Sequence, residues 1–370
     1  MPSAVELVES LSPWPKDGFG LDRIKALLAE LGDPQLTYPS IHVVGTNGKS
    51  TVTRTIEEML AREGLVVGAY LSPHVRGWGE RIRVRGEEAD FEAAIERVRR
   101  AAERLGATQF ELLTAAALAE FAAAGIDVAV VEAGLGGRYD ATNVLRSPVQ
   151  VLTNVALEHT DVLGTTREAI AGEKLAVVQP GATVVVGEPE WEDAFEYGAS
   201  DVLFAGSSNL ALAVSAAEAF AGGEVDPHAA QDVSLPGRLE TRSEVPLEIW
   251  DGAHNLAGVG YVLARLPSVR YVVVASILAD KDVEGMVAAL SALGSRFVAT
   301  TSSSTRSLSA AGLAERAGRY FADVEAIDEP AAALAHARGL GEPVLVTGSL
   351  YVLADLAKDE SVRWRTLATG

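Results

Sequence analysis

The sequence predicts an α/β protein with two domains, each built on a mostly parallel sheet with flanking helices. First, short apolar runs rich in β-branched residues alternate with helical segments along most of the 370 residues. Such alternation is typical of parallel sheets covered by helices. Second, a stretch rich in Pro, Asp and Gly at 224–240 interrupts the alternation, which then restarts. The chain is also long enough for two separate hydrophobic cores.

The first domain begins its alternation with the apolar run SIHVVG at 40–45, a predicted strand that leads directly into a glycine-rich turn. A helix at 50–64 and a strand at 65–72 follow, so the turn lies in a strand–loop–helix–strand unit. Further strands are predicted at 126–134, 148–155 and 182–187, and further helices at 110–125, 166–181 and 209–223. We therefore predict a P-loop-type, mostly parallel sheet domain with flanking helices over residues 1–232.

The second domain is predicted over residues 238–370, after the Pro- and Gly-rich linker. Four short apolar runs with helical segments between them predict its strands, at 246–252, 271–276, 296–301 and 343–348. The same alternation in a shorter segment predicts a smaller, Rossmann-like α/β domain.

Composition excludes several classes of protein. The net charge of −20 and the lack of a basic stripe argue against nucleic-acid binding. The longest mostly apolar stretch, at 112–125, is too short to span a bilayer. The absence of cysteine excludes disulfides and thiolate metal sites. With no signal-peptide pattern at the N-terminus, we expect a cytoplasmic protein.

The stretch GTNGKST at 45–51 has the residues of a phosphate-binding loop. Gly45 and Gly48 allow close approach of the backbone to an anion, and the following helix offers free N–H groups. Lys49 would reach outer phosphates, and Ser50 or Thr51 would ligate Mg²⁺. The strict pattern has one more glycine, where this chain has valine. The alternative is a plain Gly-Asn turn capped by the two hydroxyl residues.

Polar residues follow three predicted strands of the same domain. Ser72, Glu132 and the pair His159 and Asp161 each lie just past a strand end, where parallel sheets place ligand-binding groups. Taken singly, each is equally well explained as a turn, strand-end or loop residue; together they favour a metal–nucleotide site. Lys174 lies in a predicted helix, and composition alone predicts a solvated surface lysine.

In the second domain, WDGAHN at 250–255 places Asp251, His254 and Asn255 at another strand end. Arg238 lies in the linker sequence PGR, where a cation could reach a phosphate. Turn chemistry is the alternative for these residues, because Asp-Gly and His-Asn pairs favour turns.

The motifs together resemble the folylpolyglutamate synthase/dihydrofolate synthase family of the Mur ligase superfamily, in that family's order over nearly the whole chain. The stretches that carry the resemblance are FGLDRIKALLAELGDPQ, IHVVGTNGKST, YLSPHVRGWGERIRV, FELLTAAALAEFAAAGIDVAVVEAGLGGRYDATNV, LTNVALEHTDVLGTTREAIAGEKLAVVQPG, LPGRLE, DGAHN, ILADKDVEGM and VLVTGSLYVLADL. The resemblance implies that ATP phosphorylates a pteroate or folate carboxylate to an acyl phosphate. The amine of L-glutamate then attacks it, and an amide forms as phosphate leaves.

The resemblance also implies residue roles. Lys174 matches a lysine that reacts with CO₂ to give a carbamate near a metal, which replaces the surface-lysine interpretation. The implied catalytic residues are Lys49, Glu132, His159 and Lys174. The implied nucleotide contacts are Thr46, Asn47, Gly48, Lys49, Ser50, Thr51, Asn209, Arg238, Asp251 and His254. The implied Mg²⁺ ligands are Ser50, Ser72, Glu132, His159 and Lys174. Motif position adds Phe110, Asp140 and Ala141 as a pterin pocket.

The chain departs from the family pattern at the phosphate loop, where Gly-Lys-Ser-Thr replaces the usual Gly-Lys-Gly-Ser. This leaves open whether Ser50 or Thr51 is the metal ligand. The segment at 188–208 is also shorter than the family's. The rival interpretations are a Mur-type ligase acting on another carboxylate acceptor and a catalytically silent nucleotide-binding homologue. We expect a monomer whose partners are L-glutamate and a pteroate or folate.

Overall fold

The computed structural model of the protein describes residues 2–15 and 18–358. The chain forms two compact units. Unit 1 comprises the residues up to Pro73 together with Trp78–Val233, and unit 2 comprises His74–Gly77 with the residues from Ser234 onward. Each unit is an α/β structure with its own sheet, so the predicted fold class is confirmed.

The sheet of unit 1 has eight strands within the described residues, in the order β4-β3-β2-β5-β1-β6-β7-β8. The strands are β1 (Ser40–Val44), β2 (Val67–Tyr70), β3 (Ile82–Val84), β4 (Glu87–Glu88), β5 (Val128–Glu132), β6 (Val149–Leu152), β7 (Thr183–Val186) and β8 (Asp201–Phe204). All pairs from β2 to β8 are parallel, and β3 and β4 add an antiparallel edge. The mostly parallel sheet is therefore as predicted.

The helices of unit 1 cover both faces of this sheet. They are α1 (Ala4–Ser10), α2 (Asp22–Glu30), α3 (Lys49–Arg62), α4 (Phe91–Leu105), α5 (Gln109–Ala124), α6 (Thr160–Leu163), α7 (Arg167–Leu175) and α8 (Asn209–Ala221). Short 3₁₀ segments occur at Pro34–Leu36, Trp78–Arg81, Pro189–Tyr197 and Pro227–Asp232. One core packs α3 and α8 on the central strands, and another packs α5 and the N-terminal helices on the opposite face.

Helix α5 shows how sequence sets this packing. Thr108 and Glu111 form a capping box that fixes its first turn, and Gly125 ends it in the left-handed conformation. The helix is apolar almost all round, as expected of a helix buried in a core. Its side chains are accordingly buried along most of its length.

Unit 2 has a six-stranded sheet within the described residues, in the order β13-β12-β11-β14-β10-β9. The strands are β9 (Glu240–Glu244), β10 (Leu247–Trp250), β11 (Val272–Ala275), β12 (Arg296–Ala299), β13 (Asp323–Ala326) and β14 (Val344–Thr347). The helices are α9 (Leu256–Leu263), α10 (Val283–Leu290), α11 (Ala310–Ala317) and α12 (Pro330–Gly339), with a 3₁₀ turn at Ser291–Leu293 and helical residues at 350–358. Apolar clusters cover both faces of the sheet, and β9 is its antiparallel edge.

Parallel pairing brings the candidate residues of unit 1 to one edge of its sheet. Val43 of β1 pairs with Glu132 of β5, and Val44 pairs with Leu152 of β6. The chain leaves all three strands at the same edge, where ligand sites of α/β sheets lie. No helix among the described residues has the length and apolar character needed to cross a membrane.

Candidate nucleotide and metal site

The loop between β1 and α3 depends on two glycines. Gly45 has a φ of 145° and Gly48 a φ of 85°, both disfavoured for other residues. A Cβ on Gly45 would lie 1.8 Å from the hydroxyl oxygen of Thr153, and one on Gly48 would lie 2.5 Å from Asn209 Oδ1. The loop is therefore packed against the residues after β6 and the first residue of α8. The predicted nucleotide contact Asn209 is next to the loop.

Hydrogen bonds fix the loop to the chain that follows β6. The Thr46 N–H donates to the Asn154 carbonyl (2.9 Å), and the Asn47 N–H donates to Asn154 Oδ1 (3.0 Å). The Asn47 carbonyl accepts from Asn154 Nδ2 (2.9 Å) and from the Thr153 hydroxyl (2.8 Å). The Ala156 N–H donates to the Thr46 hydroxyl at 3.0 Å. These bonds fix the loop backbone against the residues that follow β6.

Helix α3 begins at Lys49 directly after the loop. Its N-cap residue is Gly48, which has no side chain to bond the N–H groups of the first turn. Those groups and the positive end of the helix dipole suit an anion. The Lys49 ammonium donates to the Thr46 carbonyl at 3.1 Å, so the cation is folded back over the loop.

Glu132 is hydrogen-bonded to two other predicted site residues. Its carboxylate is buried at the end of β5 and accepts the Ser50 hydroxyl at 3.1 Å. The other carboxylate oxygen accepts the Ser72 N–H, also at 3.1 Å. The structure thus brings Ser50, Ser72 and Glu132 together, and it is Ser50, not Thr51, whose hydroxyl lies against the carboxylate.

Lys174 is buried, with 4% of its surface exposed, so the surface-lysine interpretation from composition is wrong. Its ammonium donates to the Gly45 carbonyl at 2.7 Å, at the base of the phosphate loop. Burial lowers the Lys174 pKa to about 7, and repulsion from Lys49 acts in the same direction. The sequence holds a signal for this burial. Lys174 lies four residues after Ile170 on the buried stripe of α7.

The surroundings of His159 differ from those of the buried Glu132. It is the N-cap of α6 with a left-handed φ of 51°, and its ring is exposed, 3.9 Å from the Glu158 carboxylate. Among the described residues, no group of three or more His, Asp and Glu side chains has the arrangement of a metal site. The predicted ligand set contains only two residues of those types, Glu132 and His159. Its other members are serines and a lysine.

The predicted pterin-pocket residues lie around the glycine-rich turn after β5. The Phe110 ring packs against Gly134, where a Cβ would lie 2.5 Å from the ring, and stands 6.1 Å from the Tyr70 ring. Asp140 and Ala141 are both buried. The structure therefore places all three predicted residues at this turn.

The Asp140 carboxylate accepts hydrogen bonds from residues of this turn. It accepts the N–H groups of Leu135 (2.7 Å) and Thr142 (3.0 Å) and the Thr142 hydroxyl. Burial raises the Asp140 pKa, while these donors oppose the rise. Because the Thr142 hydroxyl donates to Asp140, it must accept from His42 Nε2, 2.8 Å away. Burial lowers the His42 pKa to about 3, so the ring is neutral.

Three residues at or beside the site were not predicted from the sequence. His42 lies inside an apolar strand, and a buried histidine there is a signal that could have been read. Asn154 follows a strand, and its side chain gives no hint of the loop it holds. Arg81 is buried, lies 4.8 Å over the Trp78 ring and is attracted to Glu132. Burial lowers the Arg81 pKa against that attraction.

The predicted residues of unit 2 also come together. Asp251 accepts the N–H groups of Leu239 and Ala253, both at 2.8 Å. Burial raises the Asp251 pKa, and the Arg238 cation opposes this rise. His254 Nδ1 lies 2.9 Å from the carbonyl two residues earlier. The cluster has local turn bonds, as the turn interpretation expects, and it also places a cation beside a buried carboxylate.

Comparison with known proteins identifies the family. The model for the Mur ligase middle domain matches residues 43–217, and that for the Mur ligase glutamate ligase domain matches 237–350. The dihydrofolate synthase/folylpolyglutamate synthase of Escherichia coli K12 is 33% identical over 380 residues, covering 90% of each chain.

Solved structures agree. Mycobacterium tuberculosis folylpolyglutamate synthase complexed with ADP superposes with a TM-score of 0.86 at 31% identity, over 96% of each chain. A bifunctional folylpolyglutamate synthase/dihydrofolate synthase with Mn, AMPPNP and L-glutamate bound gives 0.85 at 31% identity, over 97% of this chain and 99% of that one. Sequence motifs, fold and comparisons agree that the chain belongs to the folylpolyglutamate synthase/dihydrofolate synthase family of ATP-dependent Mur ligases.

Proposed function

We propose that this chain joins L-glutamate to the carboxylate of a dihydropteroate, a folate or both, with ATP as the phosphoryl donor. The observation that carries the proposal is the prearranged phosphate loop beside the Ser50–Glu132 pair, in a chain of this family. The loop offers N–H donors and a cation for phosphates, and the pair offers oxygen ligands for a metal.

The phosphate loop fits a nucleotide. Gly45 and Gly48 leave no room for a Cβ, so the loop backbone is held close, and Gly48 at the cap position has no side chain to bond the N–H groups of the first turn of α3. Lys49 would swing from the Thr46 carbonyl to a phosphate oxygen, because a charged partner forms the stronger bond. We assign the phosphate contacts to Thr46, Asn47, Gly48, Lys49, Ser50 and Thr51. Nucleotide contacts outside the loop are assigned to Asn209, Arg238, Asp251 and His254.

The site also fits a divalent cation. Mg²⁺ prefers oxygen ligands and keeps several waters, so few protein ligands suffice. The Ser50 hydroxyl and the Glu132 carboxylate provide such oxygens next to the phosphate loop. We propose Ser50, Ser72, Glu132 and His159 as protein ligands or as residues that bind the metal's waters. When bound, Mg²⁺ would neutralise phosphate charge and so favour phosphoryl transfer.

We further propose that Lys174 is carbamylated in the active protein. A neutral amine attacks CO₂, a C–N bond forms and one proton is released, giving an uncharged nitrogen that carries a carboxylate. Burial favours the neutral amine, and a pKa of about 7 leaves a large share of it unprotonated at neutral pH. The exchange replaces a buried cation near Lys49 by an anion. It thereby removes a repulsion and supplies two more oxygens for a metal.

The remaining residues bind and orient the substrates. The buried turn with Phe110, Asp140 and Ala141 is our candidate for the pterin ring, because an aromatic face and a carboxylate suit a flat heterocycle with N–H donors. Lys49 would stabilise charge that builds up on the transferring phosphoryl group. L-Glutamate would supply the amine that displaces phosphate, as the glutamate ligase domain of unit 2 suggests.

The test is phosphate release from ATP and Mg²⁺ with L-glutamate and either dihydropteroate or tetrahydrofolate. We expect glutamate-dependent release with at least one acceptor and a product heavier by one glutamate residue. Lys49→Ala should fold normally yet lose roughly three orders of magnitude in turnover, because a positioned cation supplies much of the transition-state stabilisation.

The outcomes separate the alternatives. Suppose that a folded, ATP-binding sample releases no phosphate with either pterin but does release phosphate with another carboxylate. That result would identify a Mur-type ligase with a different acceptor. A folded, ATP-binding sample that releases no phosphate with any acceptor would indicate a catalytically silent nucleotide-binding homologue. We also propose a cytoplasmic monomer, which light scattering after gel filtration and localisation of a tagged chain would check.

A further inference from the structure

Residues 154–159 of unit 1 connect the phosphate loop to His159, and their middle is held by side chains from two other segments. We infer that Arg167 and Glu188 are positioning residues of the nucleotide–metal site, acting through the backbone of Val155. The inference rests on the proposed function, because it takes His159 as a metal-binding residue and Asn154 as the support of a phosphate loop. We refer to Arg167, Glu188 and Val155 as the Val155 clamp.

Both backbone groups of Val155 are bound by charged side chains. The Val155 N–H donates to Glu188 Oε2 at 2.9 Å, and the Val155 carbonyl accepts from Arg167 Nε at 2.9 Å. Arg167 and Glu188 are themselves paired, with Nη2 and Oε1 2.8 Å apart. The result is a closed ring of three hydrogen bonds. In two of them a charged side chain bonds a backbone group of Val155, and the third joins the two charged side chains. Such charge-assisted bonds are stronger than neutral ones.

The clamp contains more than an ion pair between its two partly exposed charged side chains. The Trp191 indole N–H donates to the same oxygen of Glu188 at 2.8 Å, and the Arg167 guanidinium lies 5.4 Å over the Trp191 ring. Val155 itself is buried, with 3% exposed. Arg167 is the first residue of α7, and Glu188 follows β7, so the clamp ties two rigid elements to the chain after β6.

The residues on either side of Val155 belong to the proposed site. Asn154 holds the Asn47 peptide of the phosphate loop by two side-chain bonds, and Ala156 binds the Thr46 hydroxyl. Glu158 and His159 follow Val155 by three and four residues. A clamp on Val155 therefore fixes the end of the segment that supports the loop and the start of the segment that carries His159.

The arrangement of donors explains why a carboxylate is needed at position 188. Oε2 of Glu188 accepts two N–H groups and Oε1 accepts a third, so every partner is a donor. In Glu188→Gln the amide nitrogen, itself a donor, must face at least one of these N–H groups. Lysine at position 167 keeps the charge but lacks the planar fork that reaches Val155 and Glu188 together.

The chain offers a matched control. Arg167 Nη1 also binds Glu190 Oε1 at 3.0 Å, but Glu190 is half exposed and makes this contact outside the ring around Val155. Glu190→Gln removes one charge next to Arg167, as Glu188→Gln does, and leaves both Val155 bonds in place. An effect of net charge or of α7 stability would appear in both variants, whereas an effect of the clamp would appear only in Glu188→Gln and Arg167→Lys.

The experiment measures Mn²⁺ binding in the presence of ADP by the electron paramagnetic resonance signal of free Mn²⁺. Hydrogen exchange of the peptides that span 154–163 is measured in parallel. We expect Glu188→Gln and Arg167→Lys to weaken Mn²⁺ binding by about tenfold, a usual effect of removing a group that orients metal ligands. Exchange over 154–163 should accelerate, while exchange in unit 2 stays unchanged. Glu190→Gln should remain within about twofold of the wild type in both measurements.

The rival account is that the clamp only anchors the 3₁₀ segment at 189–197. It predicts faster exchange with Mn²⁺ affinity within twofold of the wild type, and that result would overturn the inference. If Glu188→Gln does not fold, Arg167→Lys decides the matter alone. Failure of the proposed function would show separately, as a wild type that binds Mn²⁺ and ADP yet releases no phosphate with glutamate and a pterin.

Discussion

At the residue scale, Lys174 shows how packing alone changes a side chain's chemistry. Its ammonium faces the Gly45 carbonyl inside the protein, and loss of solvent lowers the Lys174 pKa to about 7. The amine therefore becomes more available as pH rises through about 7, whereas an exposed lysine stays protonated until about 10. Carbamylation, which needs the neutral amine, should follow the same direction.

We predict that activity rises with pH through about 7 at fixed bicarbonate. We also predict that Lys174→Ala loses at least two orders of magnitude in turnover, which is roughly what the loss of a transition-state charge contact costs. Bicarbonate should not restore this variant, whereas a short carboxylic acid should restore part of the activity by placing two oxygens in the vacated space. Lys174→Arg is the matched control, because it keeps the cation and forms no carbamate. Near wild-type turnover in either variant would refute the carbamate.

At the element scale, the turn after β5 depends on a hydrogen-bonded chain from His42 through Thr142 to Asp140. This series of hydrogen-bonded side chains is buried and joins β1 to the glycine-rich turn. The Thr142 hydroxyl bonds both neighbours, so its removal takes the hydroxyl partner from His42 Nε2 and one of the two donors from Asp140 Oδ1, which keeps the Thr142 N–H. An unsatisfied buried polar group costs about 1–3 kcal/mol.

We therefore predict that Thr142→Val lowers the free energy of unfolding by about 2 kcal/mol, although it preserves side-chain shape. It should also raise the KM for the pterin acceptor more than the KM for ATP, because the turn it loosens is our candidate pterin pocket. Thr142→Ser keeps the hydroxyl and serves as control in denaturant titration and steady-state kinetics. Equal KM changes for both substrates would count against the pocket assignment.

Elements with a strong local pattern were predictable from sequence. The phosphate loop combines a β-branched strand, two glycines and a helix start within GTNGKST, and each signal is local. The strands β3, β4, β8, β9 and β13 were missed because they are short, and β4 and β9 carry only polar side chains. Edge strands need only one apolar face at most, so alternation is weak in them.

The contacts that hold the site together were harder to predict. The Lys174 burial depends on α7 packing near Gly137, where a Cβ would lie 2.6 Å from the Lys174 carbonyl. The Val155 clamp joins residues 155, 167 and 188, which are separated in sequence and have ordinary turn and helix-start patterns. Long-range contacts of this kind leave no local pattern in one sequence, whereas a phosphate loop does.

At the scale of the whole molecule, the two units have separate apolar cores. Unit 1 buries α1, α2, α4 and α5 together, while unit 2 packs α9, α10 and α11 against its own sheet. We propose that the domain boundary lies in the linker between residues 232 and 238. Domains with their own cores commonly unfold as separate cooperative units.

We predict two transitions in differential scanning calorimetry, each assignable by one matched substitution. Leu28 in unit 1 and Leu313 in unit 2 are both fully buried helical leucines, so replacing either by alanine should cost its own unit about 2–5 kcal/mol. Leu28→Ala should lower one transition and Leu313→Ala the other, by several degrees each. If both variants shift a single common transition by the same amount, the chain unfolds as one cooperative body, and separate cores do not make separate folding units here.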